Sequence, residues 1–145
     1  MEDLVDCLKR LLANSVVMSY KAQGHHWNVE GPMFHQFHAF FKDIYEDVDG
    51  AIDSIAENIR KLGDDAPFNL QDFVKLTDLK TKSVGNNALA MVTDLHAANE
   101  AVIDCVDECF KAATAANEQG IANDLAGRDG MHKKWRWQLE ATLKR

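Results

Sequence analysis

Between His25 and Arg60 the chain carries two histidines on either side of a turn, His26 and His38, and two carboxylates one helical turn apart, Asp53 and Glu57. Imidazole nitrogen and carboxylate oxygen together suit a divalent transition metal such as iron, zinc or manganese. From Phe34 to Leu62 apolar residues recur at Phe34, Phe37, Phe41, Ile44, Val48, Ile52, Ile55, Ile59 and Leu62. Steps of three and four mark one buried helical face, which places His38, Asp53 and Glu57 on one helix. At about 1.5 Å rise per residue, His38 and Asp53 are then roughly 22 Å apart along its axis, too far to hold one ion within a single chain. His26 and His38 meet at the turn of an antiparallel hairpin, and the carboxylates lie toward its other end. One site made of all four requires a second copy placed antiparallel, as a two-fold axis places it.

The elements that position these residues follow from the same periodicity. Leu4, Leu8, Leu11, Ser15, Met18 and Ala22 trace a first helix to about Asn28, with Asp3 as its cap or first-turn acid. Gly31-Pro32 breaks the pattern and restarts it, because proline is tolerated in a first helical turn but not in a helix interior. The second helix runs from about Pro32 to Leu62 and stops at Gly63, a residue suited to the left-handed conformation after a helix. Residues 64–84 form a crossover in which Asn69 caps a short helix burying Leu70, Phe73 and Val74. A third long helix spans about Gly85 to Glu118, with Leu89, Val92, Leu95, Val102, Val106, Phe110 and Ala113 on its apolar side, and Gly120 ends it. The fourth runs from about Ile121 to Leu143, with a kink or a close helix contact expected at Gly127 and Gly130. Two hairpins joined by a long connection describe a four-helix bundle with a crossover. The chain reads as one all-α domain over residues 1–145, long enough to bury a substantial core.

The string His26-Trp27-Asn28-Val29, Gly31, Phe34 and His38, with Asp53 and Glu57 following, resembles the Dps family, the DNA-binding proteins from starved cells, also called mini-ferritins. The likeness extends over nearly the whole chain in length and helix order. It implies a ferritin-like four-helix subunit, with a short extra helix in the crossover, that assembles into a dodecameric cage. It implies that Fe(II) is oxidised, with hydrogen peroxide preferred over O2, and stored as ferric mineral. The site would lie across the two-fold interface, with His26 and His38 from one subunit and Asp53 and Glu57 from its neighbour. Trp27 would lie beside that site and absorb stray oxidising equivalents. The resemblance further assigns Leu70 and Phe73 to the dimer interface and Asp124 to an acidic three-fold pore. Lys133 stands where the family often has another acid, a departure at the pore. The alternative is a structural or DNA-compacting cage whose metal site is vestigial or holds zinc.

Other chemistries are disfavoured by what the chain lacks. No Glu-x-x-His occurs, which argues against a di-iron site built inside one bundle. A site with so few carboxylates should hold one iron firmly and a second weakly. There is no phosphate-cradling glycine-rich loop, no Ser-His-Asp arrangement and no zinc-type cysteine pairing. His25, His35, His96 and His132 are expected to be ordinary hydrogen-bonded histidines, and Tyr45 a packing residue. The three cysteines do not make a disulfide framework, so Cys105 and Cys109, one turn apart, are expected as buried thiols in a cytoplasmic protein. A formal charge of -7 and the absence of a basic arm before the first helix argue against strong binding to nucleic-acid phosphates. The basic residues Lys133, Lys134, Arg136, Lys144 and Arg145 cluster near the end of the chain, where acidic neighbours can occupy part of them. No apolar run approaches the length of a membrane span.

Overall fold

The computed structural model describes residues 2–144, so Arg145 of the basic cluster lies outside the described residues. Six helices follow in order: α1 Glu2–Asn28, α2 Phe34–Gly50, α3 Ile52–Lys61, α4 Leu70–Leu76, α5 Ala88–Ala115 and α6 Gln119–Leu143. Helix α1 packs on α2, α3, α4 and α5, and α5 packs on α6. This is the ferritin-like four-helix bundle, with α4 as the short helix of the crossover. All six apolar-face positions expected on α1, Leu4, Leu8, Leu11, Ser15, Met18 and Ala22, are buried. Asp3 sits inside the first turn of α1, so it is a first-turn acid and not a cap.

The second helix is not continuous. It is interrupted at Ala51, whose N–H bonds back to the Val48 carbonyl in a tightened turn. Gly50 immediately precedes the break, and a glycine in a helix interior weakens it by roughly 1 kcal/mol relative to alanine. His38 therefore lies on α2, whereas Asp53 and Glu57 lie on α3. The start also differs: Met33, not Pro32, is the residue before the helix, and it adopts a left-handed conformation at φ 67°. At the other end Gly63, at φ 92°, reverses the chain as expected, with Asp64 N–H reaching the Ile59 carbonyl.

The crossover is strapped to α1. Asn14, fully buried, accepts from the Thr77 hydroxyl and the Asp78 N–H and donates to the Asp78 carboxylate. Asn69 caps α4 by accepting from Asp72 N–H. Only Phe73 of the expected trio is buried, however, while Leu70 is 62% and Val74 58% exposed. A seven-residue helix lying on one neighbour can bury only one narrow stripe, and here the stripe runs through Phe73. Helix α5 begins at Ala88 with Asn87 as its cap, later than Gly85, and ends at Ala115. Its reversal uses Asn117, at φ 58°, so Gly120 falls inside α6 and terminates nothing. Asparagine tolerates that conformation better than other residues with a Cβ. Leu89 and Phe110 project outward, being 50% and 39% exposed, and Met91, Ile103, Cys105 and Cys109 are buried in addition to the expected valines and Leu95. Helix α6 runs unbroken through Gly127 and Gly130, and a Cβ built at either meets no atom within 4 Å. The close helix contact expected there is absent.

Candidate metal centre

His26, in the last turn of α1, and His38, in the first half of α2, are brought together by the turn at residues 29–33. That turn is fixed by Gly31 at φ 106° and by a backbone bond from Glu30 N–H to the Asn86 carbonyl, which ties it to the start of α5. The two imidazoles stack, with centroids 3.8 Å apart and planes 15° from parallel. His26 Nδ1 lies 2.6 Å from the His38 carbonyl oxygen and His38 Nδ1 lies 2.7 Å from that of His26. A carbonyl only accepts, so each Nδ1 carries its proton and donates, which leaves Nε2 as the nitrogen able to offer a lone pair. Reciprocal bonds of this kind fix both tautomer and ring orientation, as ligating histidines require. Phe34 stacks on the His38 ring at 5.0 Å and Tyr45 tilts against the His26 ring at 5.5 Å. Tyr45, read from the sequence as packing alone, thus touches the candidate ligand.

The carboxylates stand apart from the histidines. Asp53 and Glu57 are exposed on α3, one turn apart. Among the described residues, no three histidine, cysteine or carboxylate side chains within the subunit come together to hold a metal ion. Trp27 is 66% exposed, facing away from the subunit's core. Asp124, also exposed, accepts a 3.1 Å hydrogen bond from Asn58 Nδ2. Lys133, standing where the resemblance implies an acid, pairs with Asp129 at 2.9 Å.

Behind α2 lies a polar network with no periodic signal in the sequence. Asp47 receives both terminal nitrogens of Arg128, each at 3.0 Å, and the Trp135 indole N–H at 2.7 Å. Arg128 also reaches His132 Nε2 at 3.0 Å, and His132 exchanges two hydrogen bonds with Asn99, one through its ring and one through its carbonyl. These residues join α2, α5 and α6 across the bundle. Burial pushes Asp47 up, but the bonds from Arg128 and Trp135 outweigh it and hold the carboxyl below its usual range. Burial, with the Arg128 charge adding to it, pushes His132 down to about 3. That ring is neutral and structural, as expected for it. His25 is structural too, its Nε2 2.9 Å from the Asp94 carboxylate that also takes Lys21 at 3.1 Å.

Among the described residues no helix is long and apolar enough to cross a membrane. The basic residues of α6 are largely engaged: Arg136 makes two bonds to Glu100 at 2.6 and 2.9 Å, and Lys134 lies 5.3 Å from the centre of the Trp135 ring.

Comparison with known proteins agrees with this architecture. The ferritin-like domain family matches residues 5–145. The chain is similar to the DNA protection during starvation protein of Brevibacillus brevis, at 32% identity over 139 residues that cover 94% of this chain and 91% of that protein. Among solved structures, Dps from Thermosynechococcus elongatus superposes with a TM-score of 0.95 at 28% identity, covering 99% of this chain and 92% of that one. The Dps protein of Vibrio cholerae O1, described as a member of a broad superfamily of ferritin-like diiron-carboxylate proteins, gives a TM-score of 0.94 at 25% identity, with 99% and 90% covered. The bundle, the crossover helix and these relatives place the chain in the Dps family of ferritin-like proteins.

Proposed function

We propose that this chain is a single-domain mini-ferritin subunit that takes Fe(II) as substrate, oxidises it at a site shared between two subunits, and retains the ferric product as mineral inside a dodecameric cage. His26 and His38 bind the ion through Nε2, and Asp53 and Glu57 of the partner subunit complete its ligands. Hydrogen peroxide is the oxidant, an assignment resting on the family resemblance. The balance is two Fe(II), one peroxide and two protons giving two Fe(III) and two waters, so iron and peroxide are consumed together before they can react to release hydroxyl radical. The mutually locked histidine pair carries this reading, since two adjacent imidazoles with both Nδ1 atoms committed and both Nε2 atoms offered are what a transition ion needs. Trp27, exposed in the subunit and adjacent in sequence to His26, accepts stray oxidising equivalents once a neighbour covers it. Asp124 belongs to the route by which cations enter. The protein acts in the cytoplasm.

Phe73, expected at the interface, is buried within the subunit, so the outward Leu70 and Val74 on α4 supply apolar surface for the two-fold contact. Growth of ferric absorbance after Fe(II) addition, followed without oxygen and with or without peroxide, tests the reading. Rapid growth on peroxide addition is expected. Absorbance no faster than in protein-free buffer would instead favour a cage whose site does no iron chemistry.

A further inference from the structure

A second cluster of reactive groups lies at the other end of α1, roughly 28 Å along that helix from His26. Cys7 on α1 faces Cys105 and Cys109 on α5, and all three thiols are free. Cys105 Sγ is 3.8 Å from the Cys7 carbonyl oxygen, and the Cys109 thiol interacts with those of both Cys105 and Cys7. Arg10 Nη2 lies 3.9 Å from Cys7 Sγ, and the guanidinium is anchored by Glu108 and by Asp78, the latter at 3.5 Å. Exposure is graded. Cys7 is partly exposed, whereas Cys105 and Cys109 are buried. A small oxidant therefore reaches Cys7 first, beside the Arg10 guanidinium.

We propose that Cys7 and Cys105 are a peroxide-oxidised thiol pair, in which Cys7 takes the first oxidation and Cys105 resolves it into a disulfide joining α1 to α5. The Cys7 sulfur attacks one peroxide oxygen, the O–O bond breaks, and the products are a sulfenic acid and one water. The Cys105 sulfur then attacks Cys7, the S–O bond breaks, and the leaving hydroxide takes up the Cys105 proton as a second water. Two thiols lose two electrons and two protons, and one peroxide becomes two waters. Cys105 suits the resolving role because its Sγ already lies against the α1 backbone at Cys7, 3.8 Å from that residue's carbonyl oxygen. Cys109 stays protonated, pushed up by its bond to Cys105 and by burial. The step needs no iron, so it does not depend on the metal reading.

The test uses the whole, reduced protein with iron removed and chelator present, treated with excess hydrogen peroxide and titrated for free thiols. The titre should fall from three per chain to one and recover with dithiothreitol. Non-reducing digestion after glutamate separates the candidates, since Glu100 and Glu108 place Cys105 and Cys109 on different peptides. A Cys7–Cys105 peptide pair is expected, and a Cys109→Ala protein should still form it, while Cys7→Ser should keep both remaining thiols. The oxidised form should melt higher, because the bond closes a loop between positions 98 apart. Three thiols surviving treatment, a bond from Cys7 to Cys109, or Cys7 stopping at an unresolved acid would each overturn the proposal.

Discussion

His26 and His38 each donate Nδ1–H to the other's backbone carbonyl while their rings stack 3.8 Å apart, so the pair is locked before any metal arrives. As proposed ligands, imidazoles fixed in this way spend no binding energy on orienting their rings.

The first prediction separates the two halves of the site. His26→Ala or His38→Ala removes a proposed ligand and also leaves one carbonyl without its donor, so each should slow initial Fe(II) oxidation at least tenfold and cost about 1–3 kcal/mol of stability. Asp53→Ala and Glu57→Ala should slow oxidation comparably but change stability by only about 0.5 kcal/mol, because both side chains are exposed. Stopped-flow absorbance together with urea denaturation reads both quantities. Equal stability losses in all four variants would contradict this division.

The second concerns the network behind α2. Asp47→Ala leaves Arg128 charged and poorly solvated, with the Trp135 N–H unpaired, and should cost on the order of 3 kcal/mol. Thermal melting is the check. A loss comparable to an exposed Asp→Ala change would mean the network adds nothing.

The third is a pH dependence. His132 is held at about 3 in the folded chain, below its ordinary 6.5, so the folded state binds fewer protons than the unfolded one between those values. Its contribution to stability is therefore complete above about pH 6.5 and is lost as pH falls toward 3. At about 1.36 kcal/mol per unit the full effect is roughly 4–5 kcal/mol. Asp47, held low, weakens the fold in the same direction on acidification. Urea midpoints taken between neutral pH and about pH 4 should fall more steeply for the wild type than for His132→Gln. Parallel curves would assign the acid sensitivity elsewhere.

Much of this is legible in the sequence, and the gaps have physical causes. The α1 stripe and the histidine hairpin came from period and from Gly31-Pro32, signals that act locally. The break at Ala51 did not, because a single Gly50 lowers helix stability by an amount that packing routinely overrides. The conformational freedom of Gly120 suits a chain reversal after α5, but Asn117 performs it. On α4, Leu70 turns outward as an interface residue would, but Phe73 turns in and Val74 out, because seven residues cannot distinguish a stripe facing the core from one facing a partner. Asp47 and Arg128 lie 81 positions apart, and no periodicity links residues at that distance.

A fourth prediction is weak binding to duplex DNA. Arg136 and Lys133 are paired with Glu100 and Asp129, the chain carries a net charge of -7, and affinity scales with the phosphates neutralised. A gel-shift series at roughly physiological salt should leave plasmid unretarded at submicromolar particle concentrations. Retardation there would show that the free basic groups, multiplied over an assembly, suffice.

The central claim is that ligands cross the subunit interface, and a mixed assembly tests it most directly. His38→Ala and Asp53→Ala subunits are unfolded together, reassembled in equal amounts, and assayed for initial Fe(II) oxidation with peroxide. Half of the dimers formed at random are mixed, and each mixed dimer regains one intact site of two, so activity should recover to about a quarter of the wild-type rate. Activity no higher than the mean of the two parents, in particles shown to contain both chains, would contradict a shared site.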